Sequence, residues 1–429
     1  MSFNRRHFIR KALGTTATLT LLPFFQTSAG QELLDNVRSS NDPLFDPGAT
    51  DETFWALIQQ AYTVSPSILN LNNGGVSPQP RVVQEAVEHY NKMSNEAPSY
   101  YMWRILDRGR EPVREKLAAL LGARPDEVAI NRNATESLET VVFGLQLERG
   151  DEVVLSTYDY PNMMNAWKQR AHRDGIVLKW VDLNLPEEEP TKIIEKYTSA
   201  FSERTKLVHL THMINWTGQL LPVGEIGKVA KERGIEVLVD GAHTFAQLPY
   251  QIEDLHCDYY GTSLHKWLCA PFGSGMLWVR PEKIKSLYPL FGAPEPDSSD
   301  IRKFEHLGTR SFAIEQAIGH AVEFHHMMGS ERKANRLRYL NDYWLGKLKG
   351  LSNIQANHPE NPALRGAISN ISILGKDNAE ISRVLFNKYR IHTVYIKWEK
   401  IDGIRITPNV YTSLRDLDRL VEALEDLAS

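Results

Sequence analysis

From residue 127 to residue 280 the chain repeats one unit: a short run of apolar and β-branched residues, a polar turn, then an amphipathic stretch. EVAINRN (127–133), EVVLSTY (152–158), IVLKWVDL (176–183), TKLVHLTHM (205–213), IEVLVDG (235–241) and GMLWVR (275–280) read as strands. Helical segments such as ESLETVVFGLQL and EIGKVAKERG separate them. Strands this continuously apolar need cover on both faces, which predicts βαβ units and a mostly parallel central sheet in an α/β fold. Such a sheet also limits where chemistry can sit, because ligands of open α/β sheets lie at the carboxyl ends of the strands.

The flanks read differently. Residues 30–50 form an irregular lead-in broken by Pro43, Pro47 and Gly48; a helix is expected near 51–63, then a loop at LNLNNGGVSPQP. Helical pattern begins at Pro80. Beyond about residue 330 a long helical stretch leads to the short strands AISNISIL and GIRITPNVY and a final amphipathic helix, the texture of a smaller α+β domain. The expected division is 1–29, 30–79, 80–330 and 331–429. At 429 residues, with 42% hydrophobic and 24% charged, the chain can bury a core in each of two domains.

The first 29 residues stand apart. Arg5-Arg6 is followed by Phe8 and Lys11, a mild apolar stretch from Ala12 to Phe25, and small residues at Thr27-Ser28-Ala29. This pattern resembles a twin-arginine export signal and predicts a chain that leaves the cytoplasm. A basic tail or the start of a membrane anchor is the other reading. The whole chain carries −4 at pH 7; removing residues 1–29 takes away four basic and no acidic residues and leaves −8. No basic stripe invites nucleic acid, and no later apolar run is long enough to span a bilayer. Two cysteines, Cys257 and Cys269, can make neither a disulfide framework nor a four-thiolate zinc site.

Several polar residues fall where strands end. Thr135 and Glu136 follow EVAINRN, Tyr160 follows EVVLSTY, Asn215 follows TKLVHLTHM, and Asp240 closes IEVLVD with His243 just after it. Lys266 lies in GTSLHKWLCAPFGSG, an otherwise small and apolar stretch. Desolvating an ammonium is expensive, so a lysine there either snorkels to the surface or is covalently engaged. Singly, each residue is as well explained by a turn or a helix cap.

Taken in order, NATES, THMINWTGQ, VDGAH, TSLHKW, EHLGTR and GIRITPNVY resemble the class V aminotransferase family of fold type I pyridoxal-phosphate enzymes. The resemblance runs from about Leu71 to the C-terminus. It implies a three-layer domain with a mostly parallel sheet, a smaller C-terminal α+β domain, and pyridoxal 5′-phosphate as cofactor. By the family pattern Lys266 forms the Schiff base, and burial helps by lowering its pKa. Asp240 would pair with the pyridine nitrogen, keeping the ring an electron sink. His243 would lie beside the ring, Asn215 on the ring hydroxyl, and Tyr160 on the ring face, where many relatives have histidine. Thr135, Glu136, Ser263 and His265 would surround the phosphate at a helix start. Thr309 would reach the phosphate of a partner subunit, which implies a homodimer. Arg405 would grip the α-carboxylate of an amino-acid substrate, and Asn73 would also bind the small amino acid or amine.

One departure bears on the reaction. Cysteine desulfurases place a nucleophilic cysteine in a mobile C-terminal loop. Here the matching stretch, Arg390 to Tyr395, has tyrosine and no cysteine follows Cys269. LNLNNGGVSPQP and EHLGTR are closer to the isopenicillin N epimerase-like branch, so transamination, epimerisation and elimination stay open. A catalytically idle, exported relative that only binds is the competing class; the retained lysine speaks against it. His320, His325 and His326 share no helix face, so no metal is expected. Neither a G-x-S-x-G elbow nor a G-x-G-x-x-G turn is present. YYMWRILDRGR (100–110) could line the pocket or the dimer contact.

Overall fold

The computed structural model describes residues 48–429. The expected export signal and the rest of the lead-in lie outside the described residues. A short strand, β1 (Leu69–Asn70), precedes seven strands of one sheet. These are β2 (Val128–Asn131), β3 (Glu152–Ser156), β4 (Val177–Val181), β5 (Thr205–Thr211), β6 (Glu236–Asp240), β7 (Tyr259–Ser263) and β8 (Gly275–Val279). Their spatial order is β2-β8-β7-β6-β5-β3-β4, parallel throughout except for β8, which runs against both neighbours. The expected α/β class with a mostly parallel sheet is therefore what the chain adopts. Every residue of β2, β3, β7 and β8 is buried, whereas edge strand β4 is largely open.

Strand β7 escapes the sequence pattern because YYGTS holds no aliphatic residue. Its tyrosines are buried through partners instead: the Tyr259 hydroxyl donates to Glu236 Oε2 at 2.9 Å, and Tyr260 Oη lies 2.7 Å from Tyr250 Oη. Two glycines let the loop and helix after β2 lie directly on the sheet. A Cβ on Gly261 would stand 2.7 Å from Leu138, and one on Gly275 2.5 Å from the backbone nitrogen of Asn133. Phe54, Trp55 and Ile58 of helix Glu52–Gln60 join the core beneath helices Arg110–Leu121 and Phe312–Met328.

The smaller layer uses β9 (Ile354–Ala356), β10 (Ser369–Ile373), β11 (Ile391–His392), β12 (Val394–Trp398) and β13 (Ile401–Ile406). Four of them form an antiparallel sheet in the order β12-β13-β10-β9, while β11 pairs in parallel with β1. Leu69 and Leu71 thereby enter the core of this layer with Trp344, Ile371, Ile404 and Leu420. The segment before residue 80 is thus divided: its helix packs on the central-sheet core and its strand on the small layer. That division brings the loop after β1 against β13, and with it the residues that face Lys266.

Among the described residues no helix is long and apolar enough to cross a membrane, and no His, Cys, Asp or Glu group could hold a metal ion. His325 Nε2 instead lies 2.9 Å from the Ser330 hydroxyl.

Candidate active site

The carboxyl ends of β6 and β7 carry Asp240 and Ser263, and a tight turn after Ser263 presents Lys266. That turn is closed by Cys269 N donating to Lys266 O at 3.2 Å and Ala270 N to Leu264 O at 3.0 Å. Cys269 takes a left-handed conformation, φ 58°, to complete it. Lys333 braces the turn from behind, its ammonium donating to the Trp267 carbonyl.

Lys266 Nζ lies 3.1 Å from His243 Nε2 and 6.0 Å from the centroid of the Tyr160 ring. Burial brings the amine down to about 8; Asp240 opposes that shift and Arg405 adds to it. An amine near neutrality is a nucleophile at ordinary pH, which an exposed lysine is not. Burial also pushes Asp240 up, against a hydrogen bond from Ala242 N to Oδ1 at 2.9 Å and the charge of Lys266. His243 is held well below its ordinary value by burial, then by Lys266 and Arg405, so its ring is neutral.

Arg405 comes from β13 and is held at both ends. Nη1 donates to the Asn215 carbonyl at 3.0 Å and Nη2 to Asn72 Oδ1 at 2.9 Å. Among the described residues nothing pairs with its buried Nε or with Asn215 Oδ1. Burial lowers it to about 10, with Tyr160 opposing. A guanidinium this confined keeps its charge at neutral pH and presents a fork for a carboxylate.

Asn73, expected at the substrate, has its side chain engaged within the protein. Its Nδ2 donates to Thr407 O at 2.8 Å, and its Oδ1 accepts from Tyr411 Oη at 2.6 Å and Asn70 Nδ2 at 3.2 Å. With that side chain spent inside the loop, Asn72 is the asparagine on Arg405. The signal was available in the strand alternation of LNLNN: Leu69, Leu71 and Asn73 turn inward, Asn70 and Asn72 outward.

The other end of the site is a helix start. Asn133 caps helix Ala134–Gly144, its side chain accepting from Glu136 N at 2.9 Å, and Ala134 N donates to Ser263 Oγ at 2.9 Å. Thr135 is the second residue of that helix. The Glu136 carboxylate accepts from the backbone and side chain of Arg132 at 2.7 and 3.0 Å. It is a brace for the loop. His265 leaves Nδ1 buried without a partner, and burial followed by Lys266 lowers its pKa.

The structure therefore brings Lys266, Asp240, His243, Asn215, Tyr160, His265 and Arg405 into one electrostatic cluster, with Ser263 and Thr135 at its edge. Thr309 is not in it: within one chain it is exposed, on the stretch after Glu305. Glu305 is itself fixed by Arg114 at 2.5 Å and Arg110 at 2.5 Å. Unsatisfied buried atoms on Asn215, His265 and Arg405, a free amine and a helix start suit a phosphorylated, aldehyde-bearing aromatic group. Tyr395 sits within β12, paired with Ile404, so the matching desulfurase loop is a strand here. Neither Asn72 nor Trp398, described below, was singled out from sequence.

A family model described as Aminotransferase class-V matches residues 68–394. Isopenicillin N epimerase of Amycolatopsis lactamdurans is 30% identical over 397 residues, covering 88% of this chain and 99% of that protein. A probable cysteine desulfurase of Synechocystis sp. is 29% identical over 337 residues, 74% of this chain and 79% of the relative. The solved structure of a C-DES mutant with glycine covalently linked to its PLP cofactor superposes with a TM-score of 0.76. Identity there is 22%, with 84% of this chain and 98% of the other covered.

Proposed function

This chain belongs to the class V aminotransferase family, whose enzymes use pyridoxal phosphate, and on that premise we propose that it works at the α-carbon of an amino acid. The observation that carries the reading is Lys266, its amine lowered to about 8 and lying 3.1 Å from a neutral imidazole. Bound pyridoxal phosphate supplies an aldehyde for amines and a ring that takes up the electron pair left on an α-carbon. Asp240 would hold the ring nitrogen, Tyr160 would cover one face, and Ser263, Thr135 and the helix start would hold the phosphate. Arg405 would grip the substrate carboxylate, its fork already aimed by Asn72 and the Asn215 carbonyl. Lys266 Nζ would serve as the base that takes the α-proton.

Epimerisation, transamination and elimination all begin with that proton. The test is incubation of the purified enzyme with a panel of amino acids in deuterium oxide, followed by mass spectrometry. The expected result is deuterium at the α-carbon of the accepted substrate, lost in Lys266→Ala. Product identity then separates the three outcomes. No exchange with any amino acid in a cofactor-loaded enzyme would overturn the reading.

Export and assembly are further parts of the proposal. The paired Arg5-Arg6 followed by Phe8 supports twin-arginine export, a route suited to enzymes that take up their cofactor while folding. Replacing both arginines with lysine should retain the chain in the cytoplasm; undiminished export argues against the route. Exposure of Thr309 on a pinned segment supports its use by a second chain, giving a two-fold homodimer with shared sites. A fully active monomer by light scattering argues against that.

A further inference from the structure

We infer that Trp267 is a positioning residue that fixes the tautomer of His243, so that the imidazole turns its Nε2–H toward the amine of Lys266. The inference rests on the reading of Lys266 as the residue that captures the cofactor. An indole nitrogen can only donate, and Trp267 Nε1 lies 3.3 Å from His243 Nδ1. Nδ1 must therefore be the bare, accepting nitrogen. A neutral imidazole has one N–H, so the proton sits on Nε2, the atom 3.1 Å from Lys266 Nζ. Two donors cannot share that contact. The bond forms only when Nζ offers a lone pair, which is the neutral amine.

The arrangement cannot relax by swinging Trp267 away. Its ring is fully buried, and its carbonyl is held by Lys333, whose Nζ also lies 3.5 Å from His325 Nδ1. The charged and titratable groups around Lys266 and His243 are Asp240, Arg405, His265 and the Tyr160 ring. Asp240 favours the ammonium and Arg405 disfavours it. The tautomer adds to the side of Arg405: an ammonium would point protons at the Nε2–H. With the opposite tautomer, a bare Nε2 would accept from the ammonium and hold Lys266 in its unreactive form. One indole hydrogen bond thus decides which protonation state of the lysine the pocket supports.

Nitrogen NMR of the full-length wild-type enzyme labelled in histidine reads the tautomer directly. The resonances of His243, assigned by their absence in His243→Gln, should show a pyridine-type Nδ1 and a pyrrole-type Nε2. The second measurement is the pH dependence of pyridoxal phosphate capture by the cofactor-free full-length chain, trapped with borohydride. Wild type should show a midpoint near 8, following the neutral amine. Trp267→Phe should raise it by about one pH unit, making capture below the midpoint about tenfold slower. A merely structural loss would lower the plateau and leave the midpoint in place. A protonated Nδ1 in wild type, or an unmoved midpoint in a folded Trp267→Phe, overturns the inference. If that variant does not fold, the nitrogen spectrum decides alone. Failure of the underlying reading is separate, since it would appear as a borohydride-stable adduct persisting in Lys266→Ala.

Discussion

Trp216 lies on Trp398 with ring centroids 5.2 Å apart and planes 18° from parallel, joining the loop that carries Asn215 to β12 of the small layer. Trp398 also donates its indole N–H to the Thr157 carbonyl at 2.8 Å, just past the end of β3. The pair therefore clamps three segments around the carbonyl that holds Arg405. A stacked aromatic pair contributes about 0.5–1.5 kcal/mol beyond its buried area. Trp398→Ala is expected to raise KM for the accepted amino acid about three- to tenfold, with kcat little changed. Steady-state kinetics beside the borohydride-trapped cofactor content check this; equal losses of both would point to a collapsed site instead.

Arg405 and Asn72 should separate by size of effect. Losing a hydrogen bond to a charged group costs about 1.5–3 kcal/mol, so Arg405→Ala should lower kcat/KM ten- to hundredfold or more. Asn72→Ala leaves the guanidinium but unfixes one arm, and a loss of about tenfold or less is expected. Asn73→Ala should act on stability, because its partners Tyr411 and Thr407 tie the loop after β1 to the segment that follows β13. A larger kinetic effect from Asn73 than from Asn72 would reverse the assignment.

Which parts of this site could be read from the chain follows a physical rule. Aliphatic strands such as IEVLVDG announce themselves, and so place Asp240 at a strand end before any coordinates exist. YYGTS of β7 does not, since its burial depends on partners contributed by β6 and by the turn at Tyr250. Lys266 was legible because its setting is so unlike that of a surface lysine. That Asn72 meets Arg405 depended on a contact with β13, far away in sequence, whereas the Glu136 carboxylate turns to Arg132 only four residues before it. The alternation of LNLNN shows which asparagine turns outward, but its arginine partner is a tertiary fact with no local signature.

Glu305 carries the stretch leading to Thr309, and its carboxylate takes up Arg114, Arg110 and the amide of Ile130, the last at 2.6 Å. Breaking one side of a buried ion pair typically costs about 3–5 kcal/mol, because the other charges stay buried unpaired. Glu305→Gln should accordingly lower the melting temperature by several degrees and weaken cofactor retention as the segment loosens. Calorimetry and cofactor release on dilution measure the two; an unshifted melting temperature would show the network to be dispensable.

Sulfur transfer to the protein is expected to fail. Cys257 and Cys269 are both fully buried, and burial pushes the Cys257 thiol well up, away from the reactive thiolate. Incubation with cysteine should leave no persulfide on the native chain by intact-mass analysis. A persulfide on Cys269, abolished in Cys269→Ser, would restore the desulfurase reading.

The two strand glycines have an evolutionary consequence. At Gly261 and Gly275 the sheet meets the loop and helix after β2 with no room for even a methyl group, so that wall is closed to variation by point substitution. The opposite wall is assembled from the side chains of Asn72, Tyr160 and Arg405, delivered by three separate segments. Descendants of such a scaffold can vary that wall while inheriting the glycine-backed one unchanged. A directed-evolution library confined to Asn72 and Tyr160 would thus explore new specificities at little risk to the fold.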